Sequence, residues 1–212
     1  MDITWKQVTN IPASWNKEDL LTQRANFVNC RGRGFGYAPS GQPAVLSLVP
    51  RVKQITLIAA ISDSGFVYHE ILNANGQMTK GVGSDEFALF LLALQFKIPN
   101  DSIVIMDNAP IHQGQRFEEV KKTLESSKGI KIEFLPPYSP FLNPIELSFH
   151  SIKSFVRSQE PRQRSELVKE IENAITQALT PEKCKNFFLH CKKFYRSCHE
   201  MQPITGALLA AP

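Results

Sequence analysis

Two carboxylates stand where their side chains could hold a metal ion, and the first is Asp107. It follows the apolar run of residues 103–106. A carboxylate that ends a buried strand opens into the crevice beyond the carboxyl edge of an α/β sheet, and carboxylate oxygens bind hard divalent cations. Asp107 followed by Asn108 also suits the start of an ordinary loop. The spacing alone leaves both interpretations of Asp107 open.

Glu146 is the second carboxylate. Asn143 is a typical N-cap, Pro144 suits the first helical position, and Glu146 then occupies the third. This resembles a capping box, in which the glutamate reaches back to the backbone. A helix N-terminus equally keeps a carboxylate ionised, as a metal ligand requires. Three prolines within residues 136–140 stiffen the approach to this position.

Basic side chains continue the helix face that begins with Glu146. His150, Lys153 and Arg157 follow it at spacings of four, seven and eleven residues. A helix that presents a carboxylate first and cations afterwards could hold a metal ion and then a phosphate backbone.

The elements that must position these residues alternate between strands and helices. Residues 54–61 and 66–72 flank a turn at 63–65 and predict a β-hairpin. Strands are also predicted at 102–107 and 130–135. Helices are predicted from 84 to a break at 99–101, and at 115–126, 144–158, 163–179 and 181–198. Residues 1–24 suggest a turn leading into a short helix, and residues 25–43 an irregular or hairpin segment. The order predicts an α/β fold.

Composition allows one globular domain and places the basic charge in two regions. The chain has 212 residues, 42% of them hydrophobic, and a net charge of +4, which excludes a disordered chain. Residues 151–212 hold 10 basic and 6 acidic side chains, and residues 20–62 contain no acid. Such regions could track a phosphate backbone, although plain solvated surface is the commoner explanation.

No apolar run is long enough to span a membrane, and the N-terminus lacks a basic leader with an apolar core. We therefore expect no membrane association and no secretion, with a nuclear location in a eukaryote and a cytoplasmic one otherwise.

Three cysteines recur at seven-residue spacing near the C-terminus, at Cys184, Cys191 and Cys198. On a helix they share one stripe, flanked by His190 and His199, so a metal site is conceivable. Three phenylalanines in the same segment favour the alternative that the cysteines are small core residues. Zinc ligands also usually come in tighter pairs. We expect reduced thiols in the core.

Two segments containing the carboxylates resemble the mariner-type DDE transposases. Residues 105–112 read IMDNAPIH, and residues 135–146 read LPPYSPFLNPIE. The segments GYAPSG at 36–41 and ITLIAAIS at 55–62 are similar to the family too, so the resemblance covers about residues 33–158. It implies a ribonuclease-H-like mixed sheet flanked by helices, and the cutting and joining of DNA with two Mg²⁺ (or Mn²⁺) ions. By the same resemblance, Asp107 is the second catalytic acid and metal ligand, and Glu146 the third.

The first acid of the family has no counterpart in the sequence. One alignment without gaps places Gln23 at its position. The favoured alternative is a deletion near Arg31–Arg33 that removed the first catalytic strand altogether, with residues 25–30 filling the gap. Asp19 and Asp63 are the nearest spare acids, and neither is well placed. On this interpretation residues 1–32 are a remnant interdomain linker, 33–160 the catalytic core, and 161–212 a C-terminal helical extension.

These observations predict a truncated transposase catalytic domain, without the family's upstream helix-turn-helix, that binds DNA and is catalytically defective. One alternative is an active nuclease that uses a substitute acid. Another is a host-recruited module that binds DNA or another partner without catalysis. The expected partner is DNA, and a homodimer stays open. Six basic residues are candidate DNA contacts: Arg31, Arg33, Arg51, Lys53, Lys153 and Arg157.

Overall fold

The computed structural model describes residues 20–27, 40, 53–78, 80–112, 114–137, 139–200, 202 and 204, with the backbone alone for 20–27. Its five-stranded sheet contains β1 (Leu20–Phe27), β2 (Ile55–Ser62), β3 (Gly65–Leu72), β4 (Ile103–Met106) and β5 (Lys131–Phe134). The strands lie in the order β3-β2-β1-β4-β5. β1 is antiparallel to β2 and parallel to β4, and β4 is parallel to β5. This mixed sheet is that of a ribonuclease-H-like fold, as predicted.

The central strand, β1, changes the expectations for residues 20–27. Leu20–Phe27 pairs with β2 from Leu21 opposite Ile61 to Phe27 opposite Ile55. The centre of the sheet is therefore occupied, in part by residues 25–27 of the segment expected to fill it, and a deletion near Arg31–Arg33 stays a prediction. Residues 20–27 belong to the sheet rather than to a linker, and residues 25–27 are not irregular. The segment reads LLTQRANF, with few strongly strand-forming residues, so its neighbours and not its own propensity make it a strand.

Five helices lie in the described part of the chain: α1 (Ser84–Leu94), α2 (Gln115–Lys128), α3 (Pro144–Gln159), α4 (Arg164–Asn173) and α5 (Pro181–His199). A π-helical turn, Ala174–Ala178, continues α4. The five helices predicted after residue 80 are present. The short helix expected within residues 1–24 is not found at 20–24, which belong to β1, and residues 1–19 lie outside the described residues. The N-cap of α1 is Gly83, one residue before the Ser84 that the sequence suggests. Gly129 ends α2 with a φ of 67°, a left-handed conformation that glycine adopts without strain.

Strand alternation divides the core between the two faces of the sheet. Ile58 and Met106 belong to the cluster that α1 and α2 cover. Ala59 and Ile105 belong to the cluster on the opposite face, which includes residues of α3, α4 and α5. Because successive side chains of a strand point to opposite faces, the residue two positions after Ile105 continues toward the α3 face. That residue is Asp107.

The C-terminal helices share the core of the sheet. Leu167, Ile171 and Phe187 pack in the same cluster as Leu57 of β2. The guanidinium of Arg164 also donates hydrogen bonds to the carbonyl oxygens of Lys53 at 2.6 Å, Asn73 at 2.5 Å and Ala74 at 3.1 Å. A domain boundary at residue 160 stays a prediction.

The cysteines of α5 are core residues. Cys184, Cys191 and Cys198 are buried, with reduced thiols. Burial raises the pKa of the Cys184 thiol to about 11 and that of Cys191 to about 12. Both therefore stay protonated at neutral pH, which is unfavourable for metal binding. Cys30 lies outside the described residues. Among the described helices, none combines the length and hydrophobicity needed to cross a membrane.

Candidate active site

A cleft of about 450 Å³ opens where β4 ends and α3 begins. Asp107 and Glu146 both line it, although 38 residues separate them in the chain. The rest of the lining comes from the segments that follow β4 and β5: Asn108, Ala109, Leu135, Pro136, Pro137, Ser139, Pro140 and Asn143. The two carboxylates that the motifs single out therefore share one site.

Asp107 directly follows β4, and contacts with the backbone and with His112 orient its carboxylate. The backbone N–H of Ala109 donates to its Oδ1 at 3.1 Å, and Nδ1 of His112 lies 3.1 Å from the same oxygen. Nδ1 of His112 also lies 2.7 Å from the Asp107 carbonyl oxygen. The Asp107 side chain is 36% exposed. The carboxylate is thus oriented from the protein side while it remains accessible from the cleft.

The walls of the cleft are tied together across β4 and β5. The N–H of Leu135 donates to the Met106 carbonyl at 2.7 Å, which extends the parallel ladder by one residue. The side-chain amide of Asn108 donates to the Leu135 carbonyl at 2.7 Å. Pro136 and Pro137 follow directly and line the cleft. Their restricted backbone limits the movement of this wall.

Glu146 is positioned by the start of α3. Pro144 is the first helical residue, and the Glu146 N–H bonds to the Asn143 carbonyl at 3.1 Å. Ile145 and Phe149 are buried in the core on either side of it, so packing determines how the helix is rotated. The Asn143 side chain makes no capping hydrogen bond. The partial positive charge of the helix N-terminus favours an ionised carboxylate at position 146.

The sheet register shows which residue of β1 lies level with Asp107. Leu20 and Leu21 of β1 lie opposite Val104 and Ile105 of β4. Continuing this parallel register by two residues places position 23 beside position 107. On its other side Gln23 pairs with Ala59. The row Ala59–Gln23–Asp107 therefore crosses β2, β1 and the end of β4.

Neither spare acid occupies this row within the described residues. Asp63 lies in the turn after β2, four residues from Ala59, which is about 13 Å along a strand. It is also absent from the lining of the cleft. Asp19 lies outside the described residues.

The donor set suits one hard cation better than two. Within the ranges that the structure describes, no group of three or more His, Cys, Asp or Glu side chains could hold a metal ion. Two carboxylates in one cleft, with water in the remaining positions, are a suitable donor set for a single Mg²⁺ or Mn²⁺. The paired site of two-metal catalysis holds its ions about 3.5–4 Å apart and would need further ligands.

The candidate DNA contacts fall into two groups. Lys53 is exposed just before β2, and Arg157 is exposed on α3. Lys153 is half-buried one turn before Arg157 and takes part in a side-chain interaction of its own. The other three candidates, Arg31, Arg33 and Arg51, lie outside the described residues.

Sequence reasoning assigned no role to His112, although it belongs to the motif that contains Asp107. It ends the short 3-10 turn Pro110–His112 and is buried against the aromatic core. Its position five residues after the acid was the available signal. Only the folded backbone shows that its ring returns to Asp107.

The sheet order, with two acids lining the cleft beyond β4, is that of a ribonuclease-H-like α/β domain. A family model described as a DDE superfamily endonuclease matches residues 25–168. The chain belongs to this family.

Solved structures of Mos1 transposase have the same fold. The catalytic domain of Mos1 mariner transposase matches with a TM-score of 0.67 at 15% identity, covering 97% of this chain and 98% of that one. A pre-cleavage Mos1 transpososome matches at 0.70 and 16% identity, covering 97% of this chain and 65% of that one. A Mos1 paired end complex with Mn matches at 0.67 and 16% identity, covering 95% and 64%.

The chain thus spans somewhat under two thirds of the Mos1 chains in these complexes. No curated protein sequence matches it significantly.

Proposed function

We propose that this protein is a transposase-derived DDE domain that binds DNA, retains two of its three catalytic acids, and does not cut DNA efficiently. The observation that supports the proposal is the sheet register, which, continued from Leu21 opposite Ile105, brings Gln23 level with Asp107 at the cleft. We take position 23 to be that of the family's first acid.

The proposed metal site consists of Asp107 and Glu146. These side chains would hold one Mg²⁺ or Mn²⁺, which supplies a Lewis acid for a phosphoryl oxygen when bound. A glutamine oxygen is a neutral donor, so it neither balances the charge of a second cation nor accepts a proton from an attacking hydroxyl at neutral pH. Strand cleavage should therefore be severely impaired while the fold and the first cation site persist.

DNA is the proposed polyanion because basic side chains follow Glu146 along α3. Arg157 extends from the same helix as Glu146, and Lys153 lies between them. Similar Mos1 structures are paired end and transpososome complexes. A duplex that follows α3 would bring its phosphates past these side chains before reaching the two acids. The remaining candidates, Arg31, Arg33 and Arg51, are proposed as DNA contacts from the sequence alone.

Cleavage tests the catalytic part of the proposal. Supercoiled plasmid is incubated with the protein and Mg²⁺ or Mn²⁺, with Asp107→Ala as the matched control. The expected result is no nicking above that of the Asp107→Ala variant. Metal-dependent nicking that disappears in this variant contradicts the proposal and supports an active nuclease with a substitute acid.

Salt dependence tests the binding part. Duplex affinity is measured by fluorescence anisotropy across a range of salt concentrations for wild type, Arg157→Gln and Lys122→Gln. Each lost phosphate contact should lower the salt slope by about 0.9. Arg157→Gln should do so, whereas Lys122→Gln, the same charge change at an exposed site on α2 across the sheet, should not. Equal effects, or binding insensitive to salt, would count against this DNA-binding face.

The glutamine at position 23 also supports a second candidate, a host-recruited module without catalysis. Such a module has no need of the cation site. DNA affinity that is unchanged by Mn²⁺ and by Asp107→Ala favours it, whereas a Mn²⁺-dependent increase that requires Asp107 favours the degenerate transposase domain.

A further inference from the structure

His112 is buried behind Asp107, which lines the cleft. The whole His112 residue is only 1% exposed. The ring centroid lies 4.3 Å from that of Phe87 in α1 and 6.4 Å from that of Phe117 in α2. An imidazole thus occupies a site in the aromatic core where a phenylalanine would pack well.

The hydrogen bonds of His112 define its tautomer. Nδ1 lies 2.7 Å from the Asp107 carbonyl oxygen. A carbonyl oxygen only accepts, so Nδ1 carries the hydrogen. The same nitrogen is 3.1 Å from Asp107 Oδ1, which also receives the Ala109 N–H. The Ala109 N–H thus donates to Oδ1, while the His112 Nδ1–H donates to the Asp107 carbonyl and lies close to the same carboxylate oxygen.

The second ring nitrogen of His112, Nε2, is in an unfavourable environment. Nε2 of His112 is buried and makes no hydrogen bond within the described part of the protein. An unsatisfied buried polar atom is unfavourable, and a phenylalanine would avoid it. The benefit of the imidazole therefore lies in its Nδ1–H and not in the packing of its ring.

We infer that His112 is a positioning residue that orients the Asp107 carboxylate toward the cleft through its Nδ1–H. The inference rests on the proposed function, because orientation matters only if Asp107 binds a cation. The Ala109 N–H on Oδ1 and the His112 Nδ1–H beside it limit rotation of the carboxylate. A ligand held in place loses less entropy when the cation binds. Partners of this kind, just outside the ligands, typically change metal affinity by about 10- to 100-fold when they are removed.

Two substitutions separate positioning from packing. His112→Phe keeps an aromatic ring between Phe87 and Phe117 and removes the donor. His112→Asn removes the ring, but its side-chain nitrogen can occupy the place of Nδ1. Mn²⁺ affinity is measured by electron paramagnetic resonance, and folding by the urea midpoint, with Asp107→Asn as the control for the site itself.

The inference predicts opposite behaviour of the two variants. His112→Phe should weaken Mn²⁺ binding about 10- to 100-fold with an unchanged or raised urea midpoint. His112→Asn should have a lower midpoint but Mn²⁺ affinity near that of wild type. If His112→Phe binds Mn²⁺ like wild type, or if His112→Asn loses affinity as much as His112→Phe does, the positioning role is wrong.

The tautomer of His112 can be measured without the metal. Nitrogen-15 NMR of the wild-type protein should show the hydrogen of His112 on Nδ1, and an Nε2–H ring would overturn the inference. If wild type and Asp107→Asn both fail to bind Mn²⁺, the proposed metal site fails. An Nδ1–H ring would still support the contact with Asp107 in that case.

Discussion

β1 and β4 are neighbours at the centre of the sheet, and they differ in chemistry. β4 ends at Asp107, whose carboxylate is held by the Ala109 N–H and lies beside His112. β1 carries Gln23 at the matching register position. β1 pairs with both β2 and β4, and β4 also pairs with β5. In the proposed function, position 23 is where the first acid is missing.

The difference shows that the fold and the catalytic chemistry depend on different atoms. Backbone N–H and C=O groups hold β1 between β2 and β4 whatever its side chains are. Metal binding needs charged oxygens that project from those strands. A substitution of the first acid can therefore remove the second cation site and leave the sheet intact.

Restoring the missing acid is the strongest way to test this comparison. Gln23→Asp should produce Mg²⁺-dependent nicking of supercoiled DNA, at least about 100-fold above wild type, because a metal ion can contribute several kcal/mol of transition-state stabilisation. Nicked plasmid is quantified on agarose gels. Gln23→Asn is the neutral control and should stay inactive, as should Gln23→Asp combined with Asp107→Ala. If Gln23→Asp folds but does not nick, position 23 is not the only defect.

Substitutions of Ile105, in β4, and of Asp107, just after it, should separate an effect on stability from an effect on metal binding. Ile105 is buried, so Ile105→Ala should lower the free energy of unfolding by about 2–5 kcal/mol. Asp107→Asn, two residues later at the partly exposed mouth of the cleft, should change it by less than about 1 kcal/mol. Mn²⁺ binding should instead weaken at least about tenfold, since the charge that attracts the cation is lost. Urea titrations and Mn²⁺ titrations measure the two quantities. A large loss of stability in Asp107→Asn would contradict the separation.

The smallest expected effect lies at the edge of the sheet, on β3. The hydroxyl of Tyr68 donates to Glu70 Oε1 at 2.5 Å, and this hydrogen bond, with burial, raises the pKa of Tyr68 from 10.0 to about 12. The folded state thus holds the proton more tightly than the unfolded state. Its stabilisation is complete below pH 10 and is lost as the pH rises through 12.

Solvent screening limits this contribution to roughly 0.5 kcal/mol. Urea unfolding of wild type and Tyr68→Phe, measured near pH 9 and near pH 11, should show a steeper loss of stability in wild type. DNA and Mn²⁺ binding should not change, because β2 and β1 separate β3 from β4, the strand that leads into the cleft. A change in Mn²⁺ affinity would show that the edge of the sheet is coupled to the cleft.

The sequence alone predicted that Asp107 and Glu146 belong to one site, the five helices after residue 80, and four of the five strands. These features carry local signals: the apolar run before Asp107, the proline that starts α3, and the heptad spacing of the cysteines on α5. Such patterns arise from the periods of single elements, so no knowledge of their neighbours is needed.

Only the tertiary structure decided the identity of β1, the position of Gln23 and the role of His112. The segment LLTQRANF has no strand pattern of its own, and its conformation follows from pairing with β2 and β4. His112 contacts Phe87 and Phe117 from helices on either side of it in the chain. These features depend on contacts between distant segments, and such contacts exist only once the chain has folded around its core.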